Sequence, residues 1–169
     1  DMYITSTVFD YRGNKIKDTF YRKNFNKYNL PNTYMGLHYF KKSEFALEFY
    51  TWLDKITNNW KEFYKLSGSN PIQNFASMDL TAAMAIDILD CKSKITNENV
   101  SVPSFTHMKA NIQGWNELRE SWQTKVGTYF TDDAELYIGN HKQSGIFHYT
   151  EDNFLTDDII QVLEKRLDI

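Results

Sequence analysis

The strongest constraint on this chain is a run of large apolar side chains at helical spacing. Phe45, Phe49, Trp52, Leu53, Ile56, Trp60, Phe63 and Tyr64 recur every three or four positions, which sets them on one stripe of an α-helix. Ser43 suits an N-cap, and Glu44 sits in the first turn, where an acid is favoured. The spacing predicts one helix from about Glu44 to Leu66. A mostly aromatic stripe of this kind packs inward, so it is a core face and not an exposed platform for sugars. With 169 residues the chain is long enough for one domain with a sizeable core around that helix.

Around this helix the chain alternates between extended and helical patterns. Asp1 to Val8 is rich in β-branched and aromatic residues and reads as a strand already under way. Asp10-Tyr11-Arg12-Gly13-Asn14 reads as a turn with Gly13 available for a positive φ. Residues 15–22 read as a second extended segment. Pro31 pushes Leu30 out of helical conformation, and Tyr34 to Phe40 then reads as a buried strand. Ser67 to Pro71 closes the long helix. A second helix is predicted from Asp79 to about Asp90, capped near Ser77, with Leu80, Ala83, Met84, Ile88 and Leu89 inward. Residues 92–99 are polar and loop-like, and 100–109 look extended. Trp115, Leu118 and Trp122 have helical spacing over 115–125. Val126–Phe130 and Ala134–Ile138 form a predicted hairpin around Thr131-Asp132-Asp133, and Ile146–Tyr149 a short strand. Thr156 caps a final helix with Ile159, Ile160, Leu163 and Leu167 inward. The mixture is α/β or α+β.

Charge and cysteine content exclude several classes. The net charge is −3 with both signs interspersed, so charge-driven binding of nucleic acid is not expected. Cys91 is the single cysteine, which rules out an internal disulfide and fits a reducing compartment. No apolar run is long enough to span a membrane and no signal peptide is evident. The expected location is the cytoplasm.

The polar residues gather in a few places. Gly139 to Tyr149 packs His141, Lys142, Gln143, Gly145 and His148 into eleven residues between strand-like runs. Glycines admit close backbone approach, imidazoles hold divalent metals, and lysine supplies charge for phosphate. His148, at a strand end, is the metal-ligand candidate; equally, a histidine there can be hydrogen-bonded in the core or at the surface. His141 lies seven residues earlier, an odd offset that puts the two on opposite faces of any continuous strand. They could share a metal only if the chain turns between them, which Gly145 permits. His107 and Lys109 are two apart and share a face if extended, where both could meet a phosphate or simply face solvent. Asp79 opens a helix and could position a substrate, or it could stabilise the helix dipole. Walker-type loops, dinucleotide glycine fingerprints, paired-cysteine metal sites and nucleophile elbows do not occur.

In order along the chain these clusters resemble a known family. Asn32-Thr33-Tyr34-Met35-Gly36, followed by a strand ending at Phe40, resembles the Asn-x-Gly segment of retaining, family-8-like glycosyltransferases of the GT-A fold. Ser77-Met78-Asp79 resembles the acidic start of the next helix in those enzymes, and Gly145-Ile146-Phe147-His148-Tyr149 their C-terminal His-Tyr element. With Phe105-Thr106-His107-Met108-Lys109, the run is most similar to glycosyltransferases of the kind carried by tailed phages. The resemblance implies an α/β fold, the C-terminal part of a GT-A-like nucleotide-diphospho-sugar transferase with a mixed sheet and flanking helices. It also implies a nucleotide-sugar donor, a divalent metal such as Mn2+, and transfer with retained anomeric configuration. The implied roles are His148 as metal ligand and Asp79 as the catalytic-site acid near the sugar and donor phosphate. Asn32 and Gly36 would line the floor where donor and acceptor meet, and Lys109 or Lys142 would assist at the phosphate. His107, Gln143 and Gly145 fall among the substrate-binding positions.

Two positions depart from the family pattern. The Asp-x-Asp element that supplies the other metal ligands is absent, since Asp132-Asp133 falls in the hairpin turn. The glycine and lysine that follow the C-terminal histidine are replaced by Tyr149-Thr150-Glu151-Asp152-Asn153-Phe154. The expectation is therefore a single domain over 1–169 that forms the C-terminal portion of a longer one, with its nucleotide-binding half and further metal ligands upstream of Asp1. The acceptor, whether glycan, protein or modified DNA, stays open, and a phage-encoded protein would act in the host-cell cytoplasm. The alternative is a non-catalytic interaction or glycan-binding module of a phage accessory protein. A metal-dependent hydrolase would need at least three ligands from this chain, and its histidines are too dispersed to favour one.

Overall fold

A computed structural model describes residues 2–16, 25, 27–66, 75–95, 104–107, 127–148 and 156–167. Helices and several small sheets make a mixed α/β protein. The expected segments at 17–22, 67–71, 96–103, 108–126 and 149, with the 115–125 helix among them, lie outside the described residues. The chain divides into two compact units, one of Asp1–Val8 with Ile16–Ser104, the other of Phe9–Lys15 with Phe105–Ile169.

The first unit is built around helices. Strand β1 (Met2–Thr5) pairs antiparallel with β3 (Tyr34–Phe40), with a register irregularity between Ile4 and Thr5; between them in sequence is the two-residue β2 (Val8–Phe9). Helix α1 (Glu44–Asn58) starts at Ser43, whose side chain accepts from the Ala46 N–H. It buries Ala46, Phe49, Leu53 and Ile56, the last three being members of the stripe read from the sequence. The expected single helix is broken at Asn59. There the side-chain Nδ2 donates to the Lys55 carbonyl at 2.9 Å, while the Asn59 N–H is shared between Lys55 and Ile56 at 3.2 Å. An asparagine amide that competes for a helix carbonyl ends the helix. The Asn59 carbonyl then accepts from Glu62 and Phe63, and α2 (Trp60–Leu66) begins on that cap and buries Tyr64.

Helix α3 (Met78–Ile88) lies deepest, with Leu80 to Ile86 all buried. A helix covered on every side belongs at the centre of a core, and Ala82, Ala83 and Ala85 let neighbours approach its backbone closely. It packs on α1 and β3, and one apolar cluster joins it to Met2, Ile4, Phe49, Ile56 and Tyr64. Where a polar loop was expected after residue 91, a short α4 (Lys92–Ile95) packs on β1 through buried Ile95.

In the second unit β4 (Phe105–His107) pairs in parallel with β8 (Ile146–His148). Phe9 contributes the end of β2 to that sheet, ordered β2–β4–β8. The hairpin β5 (Thr128–Phe130) and β6 (Leu136–Ile138), turning through Thr131-Asp132-Asp133 as expected, continues into β7 (His141–Lys142). The 10–14 turn also forms as read: Gly13 takes φ +81, and buried Asp10 accepts from the N–H groups of Arg12 and Asn14 at 2.9 Å. Helix α5 (Asp157–Leu167) follows Thr156, whose hydroxyl accepts from Ile159 N at 3.4 Å. Its expected inward face is less covered than anticipated: Ile159 and Leu163 are half-buried, while Ile160 and Leu167 are exposed. Periodicity fixes which residues share a stripe, not what covers them. Among the described residues no helix is long and apolar enough to cross a membrane.

Because Phe49 is fully buried in the cluster, Phe49→Ala should lower unfolding free energy by about 3–5 kcal/mol, whereas exposed Leu47→Ala should change it by about 0.5 kcal/mol or less. Urea denaturation of the two variants checks the contrast. Burial pushes the Cys91 thiol from its ordinary 9.0 up to about 11. The folded state thus holds this proton to higher pH than the unfolded state, so stability is full below pH 9 and falls as pH rises through about 11. Urea midpoints measured across that window should fall less steeply in Cys91→Ala. The fall should persist in part, because burial also raises the Tyr64 phenol.

Candidate functional site

The site residues anticipated from the sequence fall into two groups, one in each unit. In the first, Asp79 stands in the opening turn of α3. Its Oδ1 accepts from the Met35 N–H at 2.7 Å, and its backbone carbonyl accepts from the Thr33 hydroxyl at 2.6 Å. The start of α3 is thereby tied to the start of β3. Asn32 and Gly36, both exposed, flank the tied residues, and Asn32 Nδ2 donates to the Ser6 carbonyl at 3.0 Å. The structure therefore brings Asp79 to the Asn32–Gly36 segment. It also gives one carboxylate oxygen a structural task that the sequence did not reveal. Just upstream, the buried Tyr64 phenol accepts from the Ser77 N–H at 3.0 Å, and Ser77 Oγ accepts from Leu80 N at 3.5 Å. The loop-to-helix junction is held from both sides.

In the second unit the parallel pairing of β4 with β8 sets Phe105 beside Ile146 and His107 beside His148. The two imidazole centroids are 5.1 Å apart, and the His148 ring lies 5.4 Å from that of buried Phe105. Both histidines stand at the last described positions of their strands. Two imidazoles on one metal ion, with metal–nitrogen bonds of about 2.1 Å, would have centroids roughly 4.6–5.3 Å apart. Neighbouring strands about 4.8 Å apart deliver that separation through register alone. That separation is compatible with two imidazoles on one ion, and it is also the ordinary spacing of ring side chains on adjacent strands. Among the described residues no group of three or more His, Cys, Asp or Glu side chains could hold a metal, so further ligands would have to come from elsewhere or from phosphate oxygens.

The rest of the 139–149 cluster is engaged locally. Gly145 takes φ +91, and a Cβ there would meet nothing within 4 Å, so the turn conformation, not close approach, calls for glycine. That turn separates His141 from His148 onto different strands. His141 is exposed, with its ring edge-on to Tyr11 at 5.8 Å. Gln143 Nε2 donates to the carbonyls of Tyr11 and His141 at 2.8 and 2.9 Å, which fastens β7 to the 10–14 turn. Lys142 forms an ion pair with Glu135; their hydrogen bond holds the Glu135 carboxyl below its ordinary range and raises Lys142. A lysine paired in this way is not a ready cation for phosphate. Lys109 lies outside the described residues.

Sequence reasoning did not single out Phe105 as the wall beside both imidazoles, or Glu135 as the partner of Lys142. The alternation Phe105-Thr106-His107 carries a signal for the first. The second depends on hairpin register and has no local signature. Compared with protein-family models, curated proteins and solved structures, the chain matches none.

Because the Met35 N–H is directed at a carboxylate, Asp79→Ala should lower unfolding free energy by about 1.5–3 kcal/mol, the range for a hydrogen bond to a charged group. Urea titration would detect this. Exchange of the Met35 amide should accelerate at the same time, and an unchanged amide would contradict the tie.

Proposed function

We propose that the chain is the acceptor-side part of a metal-dependent glycosyltransferase of GT-A type, transferring a sugar from a nucleotide-sugar donor. The observation that carries this proposal is the placement of His107 and His148 side by side on two parallel strands. The order of motifs described above supports it, as does the tie between Asp79 and the segment holding Asn32 and Gly36.

On this proposal His148, with His107 beside it, contributes imidazole nitrogens to a divalent cation that also holds the donor diphosphate. Such a cation, when bound, supplies positive charge opposite the charge developing on the leaving diphosphate. Phe105 excludes water from one side of the imidazoles, which strengthens electrostatic contacts there. Asp79 acts by position within its own unit: with Oδ1 held by the Met35 N–H, it fixes the 32–36 segment against α3, where Asn32 and Gly36 are exposed. Lys142, already paired with Glu135, is a weaker candidate for the phosphate contact than Lys109.

The test is release of nucleoside diphosphate from a panel of UDP-, GDP-, ADP- and TDP-sugars by protein containing this chain, with and without Mn2+. Release should depend on Mn2+, stop on chelation, and fall by about 100-fold or more in His148→Ala, with a smaller loss in His107→Ala. Full activity of His148→Ala at saturating Mn2+ would remove that residue from the site. Absence of release from every donor would sink the proposal.

A further inference from the structure

Strand register sorts the side chains of the β5–β6–β7 sheet onto two faces. Thr128, Ile138 and His141 share one set of register positions, and Ile138 is fully buried. Side chains alternate along strands, so Tyr129, Tyr137 and Lys142, which face one another across the ladder, stand on the opposite side. The Tyr129 and Tyr137 rings stack with centroids 5.5 Å apart and planes 8° from parallel. Tyr129, at 48% exposure, lies on a strand that is an edge among the described residues. One face of its ring rests on Tyr137; the other is directed away from the pair.

From this geometry we infer that the Tyr129–Tyr137 pair is a binding platform for a neutral saccharide. An aromatic face takes the apolar C–H face of a sugar ring, and tyrosine adds a hydroxyl at the rim. The Lys142–Glu135 ion pair at the same face offers a donor and an acceptor, a combination that suits hydroxyl groups. Charge argues against the other common partner of stacked aromatics. Single-stranded nucleic acid needs an uncompensated basic track, whereas Lys142 is paired and the adjoining turn carries Asp132 and Asp133. A purely structural cross-strand pair would stabilise the hairpin but would bind nothing, and binding is what separates the two. The inference does not rest on glycosyl transfer, since neither donor nor cation takes part.

Saturation-transfer NMR on the full chain, with maltotriose, cellotriose and mannotriose as probes and adenosine monophosphate as the contrasting ligand, tests it. At least one trisaccharide should show transfer to its ring C–H protons. Affinity should fall by about tenfold in Tyr129→Leu, which keeps an apolar strand residue without a ring, and should hold in Tyr129→Phe. Absence of transfer for all three sugars would overturn the platform. So would equal binding by Tyr129→Leu, or salt-sensitive binding of adenosine monophosphate in place of the sugars.

Discussion

Burial of α3 on every side is the constraint on which the first unit depends. A helix with Leu80 to Ile86 all inside has no polar face on which to float, so its position is set by whatever surrounds it. Helix α1 and β3 surround it, and the alanines permit close contact. Its N-terminus poses the harder problem, because the first N–H groups of a helix have no intrahelical partners. Ser77 Oγ accepts one of them, the Tyr64 phenol accepts the Ser77 N–H, and Asp79 reaches out to the Met35 N–H. The apolar stripe of α1 and α2 thus does more than fill volume, since its last member, Tyr64, also supplies the oxygen that holds the next helix in place.

That arrangement explains which parts of the fold were legible. The stripe from Phe45 to Tyr64 was readable because helical periodicity is local, and so was the Ser77 cap. The break at Asn59 was not, since it turns on whether a side-chain amide captures the Lys55 carbonyl, a contest in which helix propagation is an equally available outcome. The hairpin around Asp132 and the turn at Gly13 were legible from turn chemistry. The covering of α5 was not: Ile160 and Leu167 lie on the stripe that periodicity marks, yet both are exposed.

The candidate site divides along the same line. Asp79 could be assigned to a helix start from sequence, but its bond to Met35 spans 44 positions and leaves no local trace. His141 and His148 are close in sequence, but their odd offset already set them on opposite faces of any continuous strand. The fold instead places His148 beside His107, because a parallel ladder joins segments that need a long crossover. Lys142, read as a phosphate contact, is tied to Glu135 across the hairpin.

A physical asymmetry follows between the two polar groupings. Around Asp79 the polar atoms are committed to backbone partners, so this region holds its shape whether or not a ligand arrives. Such rigidity suits residues that position a substrate. The imidazoles of His107 and His148 are brought together by strand register, with Phe105 as an apolar wall beside His148. Register fixes the separation of two donors without fixing a third, so ion selectivity there would depend on ligands from beyond the pair. A hard cation that favours oxygen would draw them from carboxylates or phosphates. On the proposed reading, the ion held there would be chosen jointly by the imidazole pair and by whatever carries those oxygens.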